Sequence, residues 1–245
     1  MKQERDIMGM PVSVEIVGAD KDALQKVFDY FTQVDKRFST YKQESEISKI
    51  NRGELLRSEW SNEMQEVFAL ASQTTKDTGG YFSITRPDGL IDPSGLVKGW
   101  AILNAAKLVE SLGYANYFLN VGGDIQSGGT DKNGNPWTIG IRNPFNKSEI
   151  IKVLRPEGKG IATSGSYIRG DHIYNPLAPQ EELSEVVSIT VVGPDVYEAD
   201  RYATAAFAMG KDGVSFIEGL SGFEAYSIDA RGIATMTSNF ETYIQ

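Results

Sequence analysis

The chain has 245 residues, 40% of them apolar, a formal net charge of −9, no cysteine and a single histidine, His172. That length suits one continuous domain, the acidic balance speaks against nucleic acid or anionic lipid as partners, and the missing cysteine excludes disulfides, zinc–thiolate sites and thiol nucleophiles. With one histidine, a metal site must draw on oxygen ligands, which points to magnesium or calcium.

The opening MKQERDIMGM has no apolar core of a signal peptide, so a cytoplasmic location is favoured, although a trimmed leader would look the same. Further on, no run approaches the roughly 18 apolar residues that a membrane helix needs. Residues Pro11 to Val17 read as a strand. Asp20 then caps a helix with Leu24, Val27, Phe28, Phe31 and Val34 on one face. A second helix is expected from Ser61 to Thr78, stopped by Gly79 and Gly80, with a short strand from Tyr81 to Thr85. Asp92-Pro93-Ser94-Gly95 reads as a turn that opens a third helix, carrying Leu96, Trp100, Leu103, Ala106 and Leu108 and ending at Gly113.

Short strands follow at Tyr117 to Val121, Trp137 to Ile141 and Ile151 to Leu154, separated by Gly, Asn and Pro. The stretch between Gly165 and Glu185 has no periodicity and is expected to be an active-site loop. After a strand at Val186 to Val192, Asp195 and Glu198 form a capping box for a helix ending before Gly210. Strands at Ala225 to Ile228 and Ile233 to Thr237 flank a turn at Asp229 to Gly232. The pattern predicts an α+β fold, a single domain over residues 1–245 with mainly antiparallel sheets packed by helices.

Five places carry candidate chemistry. Neither a P-loop nor a GxGxxG turn is present, but IDPSGLVKG combines a glycine-containing turn, a helix start and Lys98 one turn in, an arrangement that attracts phosphate. On spacing alone, a lysine so placed is more often an ordinary solvated one. In EADRYATAAFAMG, Asp200 and Thr204 are four apart on a helix and present a carboxylate and a hydroxyl side by side, both hard oxygen ligands. Their bland reading is a surface Asp beside a Thr bonded to its own turn; as a ligand, too, Asp200 is expected at the surface. NVGGD and ATSGSY allow close backbone approach to a ligand, or are plain tight turns. His172 is the natural general base, or an inert loop histidine.

Taken in order, these segments resemble the ApbE family of FAD:protein FMN transferases over nearly the whole chain. MGMPVSVEI is similar to the family's opening Met-Gly-Thr strand, and FSTYKQESEISKIN to its Ser-x-(Ile/Leu)-x-x-(Ile/Leu)-Asn segment. IDPSGLVKGWA resembles Asp-Leu-Ser-Gly-Ile-Ala-Lys-Gly-Tyr-Ala, and NVGGD resembles Asn-Leu-Gly-Gly-Asp. ATSGSY, HIYNP and EADRYATA resemble Ala-Thr-Ser-Gly-Asp-Tyr, His-Ile-Ile-Asp-Pro and Ala-Asp-Ala-x-Ala-Thr-Ala.

The resemblance implies that Asp200, Thr204 and the Gly95 carbonyl hold magnesium. It also implies that Met8, Tyr81, Phe82, Ser83, Asp92, Lys98 and Tyr174 line an FAD site, with His172 and Lys98 catalytic. The implied reaction moves FMN from FAD to a threonine hydroxyl of an acceptor flavoprotein and releases AMP. Asn175, Ala178, Pro179 and Leu103 depart from the family pattern, so hydrolysis of FAD to FMN and AMP, or FAD binding alone, is the alternative. Family members commonly resemble lipoproteins anchored by an N-terminal cysteine; without a cysteine, an exported lipoprotein is expected here only if a leader has been removed.

Overall fold

The computed structural model describes residues 1–146, 148–165, 173–181, 183 and 185–245. Two strands, β1 (Lys2–Ile7) and β2 (Met10–Ile16), precede four helices, α1 (Lys21–Phe38), α2 (Glu46–Asn51), α3 (Asn62–Asp77) and α4 (Ser94–Ser111). Six strands come next: β3 (Tyr117–Val121), β4 (Asp124–Gly128), β5 (Ile139–Arg142), β6 (Ile150–Leu154), β7 (Gly160–Gly165) and β8 (Val186–Gly193). Helices α5 (Val196–Ala208) and α6 (Gly213–Glu218) lead into β9 (Glu224–Asp229) and β10 (Ala234–Met236). Eight strands form one sheet in the order β1-β2-β3-β4-β7-β8-β9-β10, every pairing antiparallel, while β5 and β6 form a separate hairpin. The architecture is α+β, as the sequence predicts.

Local chemistry sets the helix starts. Asp20 accepts the Ala23 N–H at 2.9 Å and Ser61 accepts the Met64 N–H at 3.2 Å, so each helix begins where a side-chain oxygen satisfies an otherwise orphaned donor. At α5 the cap is one-sided. Asp195 accepts the Glu198 N–H at 2.9 Å, but the Glu198 carboxylate turns to Arg201 at 2.7 Å instead of closing the box.

Packing follows from the strand alternation. Val12, Val14, Ile16, Leu119 and Val121 point from β2 and β3 onto α1 and α4, where Phe28, Phe31, Leu96 and Ile102 are fully or almost fully buried. Ile189 and Val191 of β8 pack with Ala203 and Ala206 of α5, while Val192 points to the opposite face, onto the β5–β6 hairpin and Phe240. Thus α4 is not the one-faced helix that the sequence suggests. It buries residues on every side, among them Val97, Ala101 and Ala105, and Leu103 and Leu108 are only partly covered.

Three other expectations change. β1 escapes a hydrophobic reading because KQERDI is a mostly exposed edge strand, where charged residues are tolerated. Tyr81 to Thr85 is not a strand: Gly79 and Gly80 take positive φ, and the segment keeps a single bridge, Thr85 to Ile91, around the turn at Arg86. Residues 162–165 of ATSGSY lie in β7, inside the large sheet, rather than in a tight turn.

Helices α4 and α5 cross at Gly99, where an added Cβ would lie 2.6 Å from Asp200 Cβ and 2.7 Å from the Val196 carbonyl oxygen. Overpacking of this kind typically costs about 1–3 kcal/mol. Gly99→Ala is therefore expected to lower the unfolding midpoint in a denaturant titration. An unchanged midpoint would contradict the close crossing.

Candidate active site

The α4–α5 crossing places two sequence signals side by side. On α4, the Asp92 carboxylate accepts the Ser94 N–H at 3.0 Å and closes the turn that starts the helix. That turn is itself held. The Asn51 side chain at the end of α2 accepts the Ile91 N–H at 2.8 Å and donates to the Ile91 carbonyl at 2.9 Å. The Asp92 N–H, in turn, donates to the Ile84 carbonyl at 2.7 Å, tying the segment after Tyr81 to the helix start.

On α5, Asp200 and Thr204 face α4, as their spacing of four requires. Thr204 Oγ1 donates to the Gly95 carbonyl oxygen at 3.1 Å. Asp200 Oδ2 accepts the Gly99 N–H at 2.7 Å, and its Oδ1 lies 3.5 Å from the Lys98 ammonium. Asp200 is not the surface carboxylate that the sequence suggests: it is 2% exposed. Gly99, with no side chain where α4 meets Asp200 and the Val196 carbonyl, lets the helices approach closely enough to cover it. Burial pushes its carboxyl up, to about 7; Lys98 and the Gly99 N–H oppose this, and Asp124 reinforces it.

Lys98 is likewise no solvated helix lysine. Its ammonium lies 2.7 Å from Asp124 Oδ2, and Asp124 is 1% exposed. Asp124 Oδ1 accepts the Thr163 N–H at 3.0 Å, joining β4 to β7 beneath the lysine.

Lys98 and Asp200 border a cavity of about 430 Å³, and Asp124 lies behind the lysine. Gly95 and Thr204 line the same cavity, as do Tyr81, Phe82 and Ser83, with Asp92 and Tyr174 also at its edge. The Tyr174 hydroxyl donates to the Thr85 carbonyl at 2.8 Å, which anchors the segment from Ile173 to Pro176 against the cavity. Of the described residues that the sequence names, only Met8 is elsewhere. With φ at 58°, it borders an adjoining cavity of about 90 Å³, which shares Asp92, Ser94 and Lys98 with the first. His172 lies outside the described residues.

Sequence reasoning missed Tyr41, Arg86 and Asp124. Tyr41 is 96% exposed yet borders both cavities, and Arg86 lines the larger one. Asp124 is the acid of the NVGGD segment; it follows the glycine turn and opens β4, whose sequence DIQSG gives no apolar signal that the position is buried.

Chemically, the wall offers one carboxylate, one hydroxyl and one backbone carbonyl, a set of hard oxygens that suits a small divalent cation completed by water or phosphate. Among the described residues no group of three or more His, Cys, Asp or Glu side chains is placed to hold a metal. A cation here would rest on Asp200 and neutral oxygens.

The model of the ApbE family matches residues 8–88 and 85–227. The chain belongs to the ApbE family. Among its relatives, the FAD:protein FMN transferase of Klebsiella pneumoniae (strain 342) is 30% identical over 170 residues, covering 64% of this chain and 49% of that protein. That of Vibrio cholerae serotype O1 is 30% identical over 174 residues, covering 67% and 51%. This ApbE-family chain thus spans about half the length of the relatives it matches.

The solved structure of flavin transferase ApbE from Vibrio cholerae superposes with a TM-score of 0.85 at 23% identity, covering 99% of this chain and 98% of that one. The ApbE protein of Thermotoga maritima gives 0.86 at 20% identity, covering 100% and 99%. Both establish the ApbE fold for this chain.

Proposed function

We propose that residues 1–245 act as one catalytic unit, a magnesium-dependent FAD:protein FMN transferase. One observation supports this most: a single cavity brings the oxygens of Gly95, Asp200 and Thr204 and the Lys98 ammonium against the aromatic wall of Tyr81 and Phe82. A pyrophosphate between two ring systems needs both kinds of wall. Gly95, Asp200 and Thr204 would hold magnesium, which when bound draws charge from the phosphate oxygens. Met8, Tyr81, Phe82, Ser83, Asp92 and Tyr174 would bind FAD.

In this reading the acceptor threonine oxygen forms a bond to the FMN phosphorus while the phosphoanhydride bond to AMP breaks. Lys98 faces the charge that develops on the departing phosphate, and His172 receives the hydroxyl proton. The acceptor would be a flavoprotein bearing the target threonine.

FAD hydrolysis, with water in place of the acceptor, is the alternative suggested by Asn175, Ala178 and Pro179. Against it, Asn175 keeps the local turn that an aspartate would make, since its Oδ1 accepts the Leu177 N–H at 2.9 Å.

FAD titrations with magnesium and with EDTA test the cation's part. Affinity is expected to be at least about tenfold higher with magnesium, because a cation held by Asp200, Thr204 and the Gly95 carbonyl would offset the charge of the pyrophosphate. Equal affinities would contradict a cation at this site.

A further inference from the structure

We infer that Asp124 is a positioning residue that holds Lys98 away from Asp200 and so keeps the Asp200 carboxylate open to a divalent cation. The inference rests on the proposed cation site at Asp200.

The geometry is a lysine between two buried acids. Lys98 Nζ is 2.7 Å from Asp124 Oδ2 and 3.5 Å from Asp200 Oδ1, and the two carboxylates are 1% and 3% exposed. Asp200 Oδ2 already accepts the Gly99 N–H, so Oδ1 is the oxygen for which a cation and the ammonium would compete. In a poorly hydrated site an ammonium resting on Oδ1 would cancel its charge and repel a second cation.

Asp124 is built to prevent this. It is the first residue of β4, directly after a turn in which Gly122 and Gly123 take φ of 60° and 106°. Its Oδ1 is fixed by the Thr163 N–H of β7 at 3.0 Å, so the carboxylate cannot follow the lysine. Its Oδ2 is buried, and the ammonium 2.7 Å away is the charge that compensates it. Asp124 does not border the main cavity itself, so among the described contacts it acts through Lys98. Were Asp124 neutral, Asp200 Oδ1 would be the other described carboxylate oxygen in ion-pair reach of the lysine.

A double-mutant cycle read by calorimetric titration with magnesium chloride alone tests this, with circular dichroism to verify folding. Asp124→Asn keeps an acceptor for the Thr163 N–H, removes the charge, and should weaken magnesium binding. The penalty should be at least about tenfold larger with Lys98 in place than in a Lys98→Met background, because the competitor is then gone. If the lysine is not displaced, Asp124 contributes only a background charge and the penalty is the same in both backgrounds. That result would overturn the inference while leaving the cation site intact. Failure of the unmutated protein to bind magnesium at all would overturn the cation site and the inference with it. Asp124→Ser, whose hydroxyl also accepts from Thr163, replaces Asp124→Asn in the cycle if that variant does not fold.

Discussion

Asp200→Asn is expected to lower FAD turnover by at least about 10²-fold while leaving the protein folded, the scale on which losing one preorganised electrostatic contact slows enzymes. The asparagine oxygen can still accept the Gly99 N–H, now at 2.7 Å from Asp200 Oδ2, and the side-chain volume hardly changes. What is lost is the negative charge, with its 3.5 Å ion pair to Lys98. Asp200→Ala is a poorer probe because it also strands the buried Gly99 N–H and opens a void at the α4–α5 crossing. Leaving a buried donor unsatisfied costs about 1–3 kcal/mol by itself, so loss of activity there would mix chemistry with unfolding. Steady-state rates at saturating FAD and magnesium, alongside unfolding curves for both variants, separate the two effects. Full activity in a folded Asp200→Asn protein would remove Asp200 from the site.

Arg201, the next residue on α5, has the largest expected effect on stability. All five of its N–H groups find partners: Nε and one Nη2 hydrogen donate to Glu198 at 2.9 and 2.7 Å, and the other Nη2 hydrogen to the Tyr202 hydroxyl at 3.1 Å. Nη1 reaches Asp77 at 2.9 Å and Thr74 at 3.5 Å. The guanidinium also lies 4.1 Å over the Tyr202 ring. It thereby ties α5 to the end of α3, the point from which the chain enters the Tyr81–Phe82 wall of the cavity.

Arg201→Met leaves Asp77 and Glu198 without their partner. Both are 26% exposed, so water relieves part of the penalty seen for fully buried pairs, and a loss of about 2–4 kcal/mol is expected. For a chain of this size that is a fall of roughly 5–15 °C in the melting temperature.

The loss should also depend on pH. Although burial raises the Asp77 carboxyl, hydrogen bonds from Gln73 and Arg201 and the arginine charge outweigh it and hold the folded-state value below the ordinary one. A depressed carboxylate stabilises the fold above its unfolded pKa of about 3.9 and ceases to do so as pH falls through its lower folded value. The gap between the two proteins should therefore be full at neutral pH and shrink below about pH 4. A gap independent of pH would place the stabilisation in packing alone.

What the sequence disclosed depends on the range of the interaction involved. The start of α1 and both ends of α3 were legible to within a residue because their caps and apolar stripes are local, and β3 because YFLNV is a short, strand-forming apolar run bounded by turn residues. Lys98, Asp200 and Thr204 could be singled out because a helix start and an i,i+4 spacing are also local. The burial of Asp200 could not, since it depends on Gly99, 101 positions away in the chain, meeting α5 face to face; the small residues of DRYATAAFA hint only that other elements pack closely around α5. Asp124 was hidden for the same reason, its two partners, Lys98 and Thr163, being on α4 and β7. The polar sequence of β4, DIQSG, carries no local sign that the acid at its start is buried. β1 and the irregular Tyr81–Thr85 segment mark the opposite failure, where exposure and glycine override the strand pattern.

The central claim, that one cavity joins a flavin-binding wall to a phosphate-activating one, is tested most directly by following the fate of FAD. The purified protein is incubated with FAD and magnesium, with and without a flavoprotein acceptor domain bearing its target threonine. Intact mass then reads the acceptor, and chromatography reads the nucleotides. The account predicts FMN bound to the acceptor threonine, AMP released in equal amount, and neither product when EDTA replaces magnesium. Free FMN and AMP beside an unmodified acceptor would make the chain a hydrolase, and unchanged FAD in the presence of folded protein and magnesium would contradict the account outright.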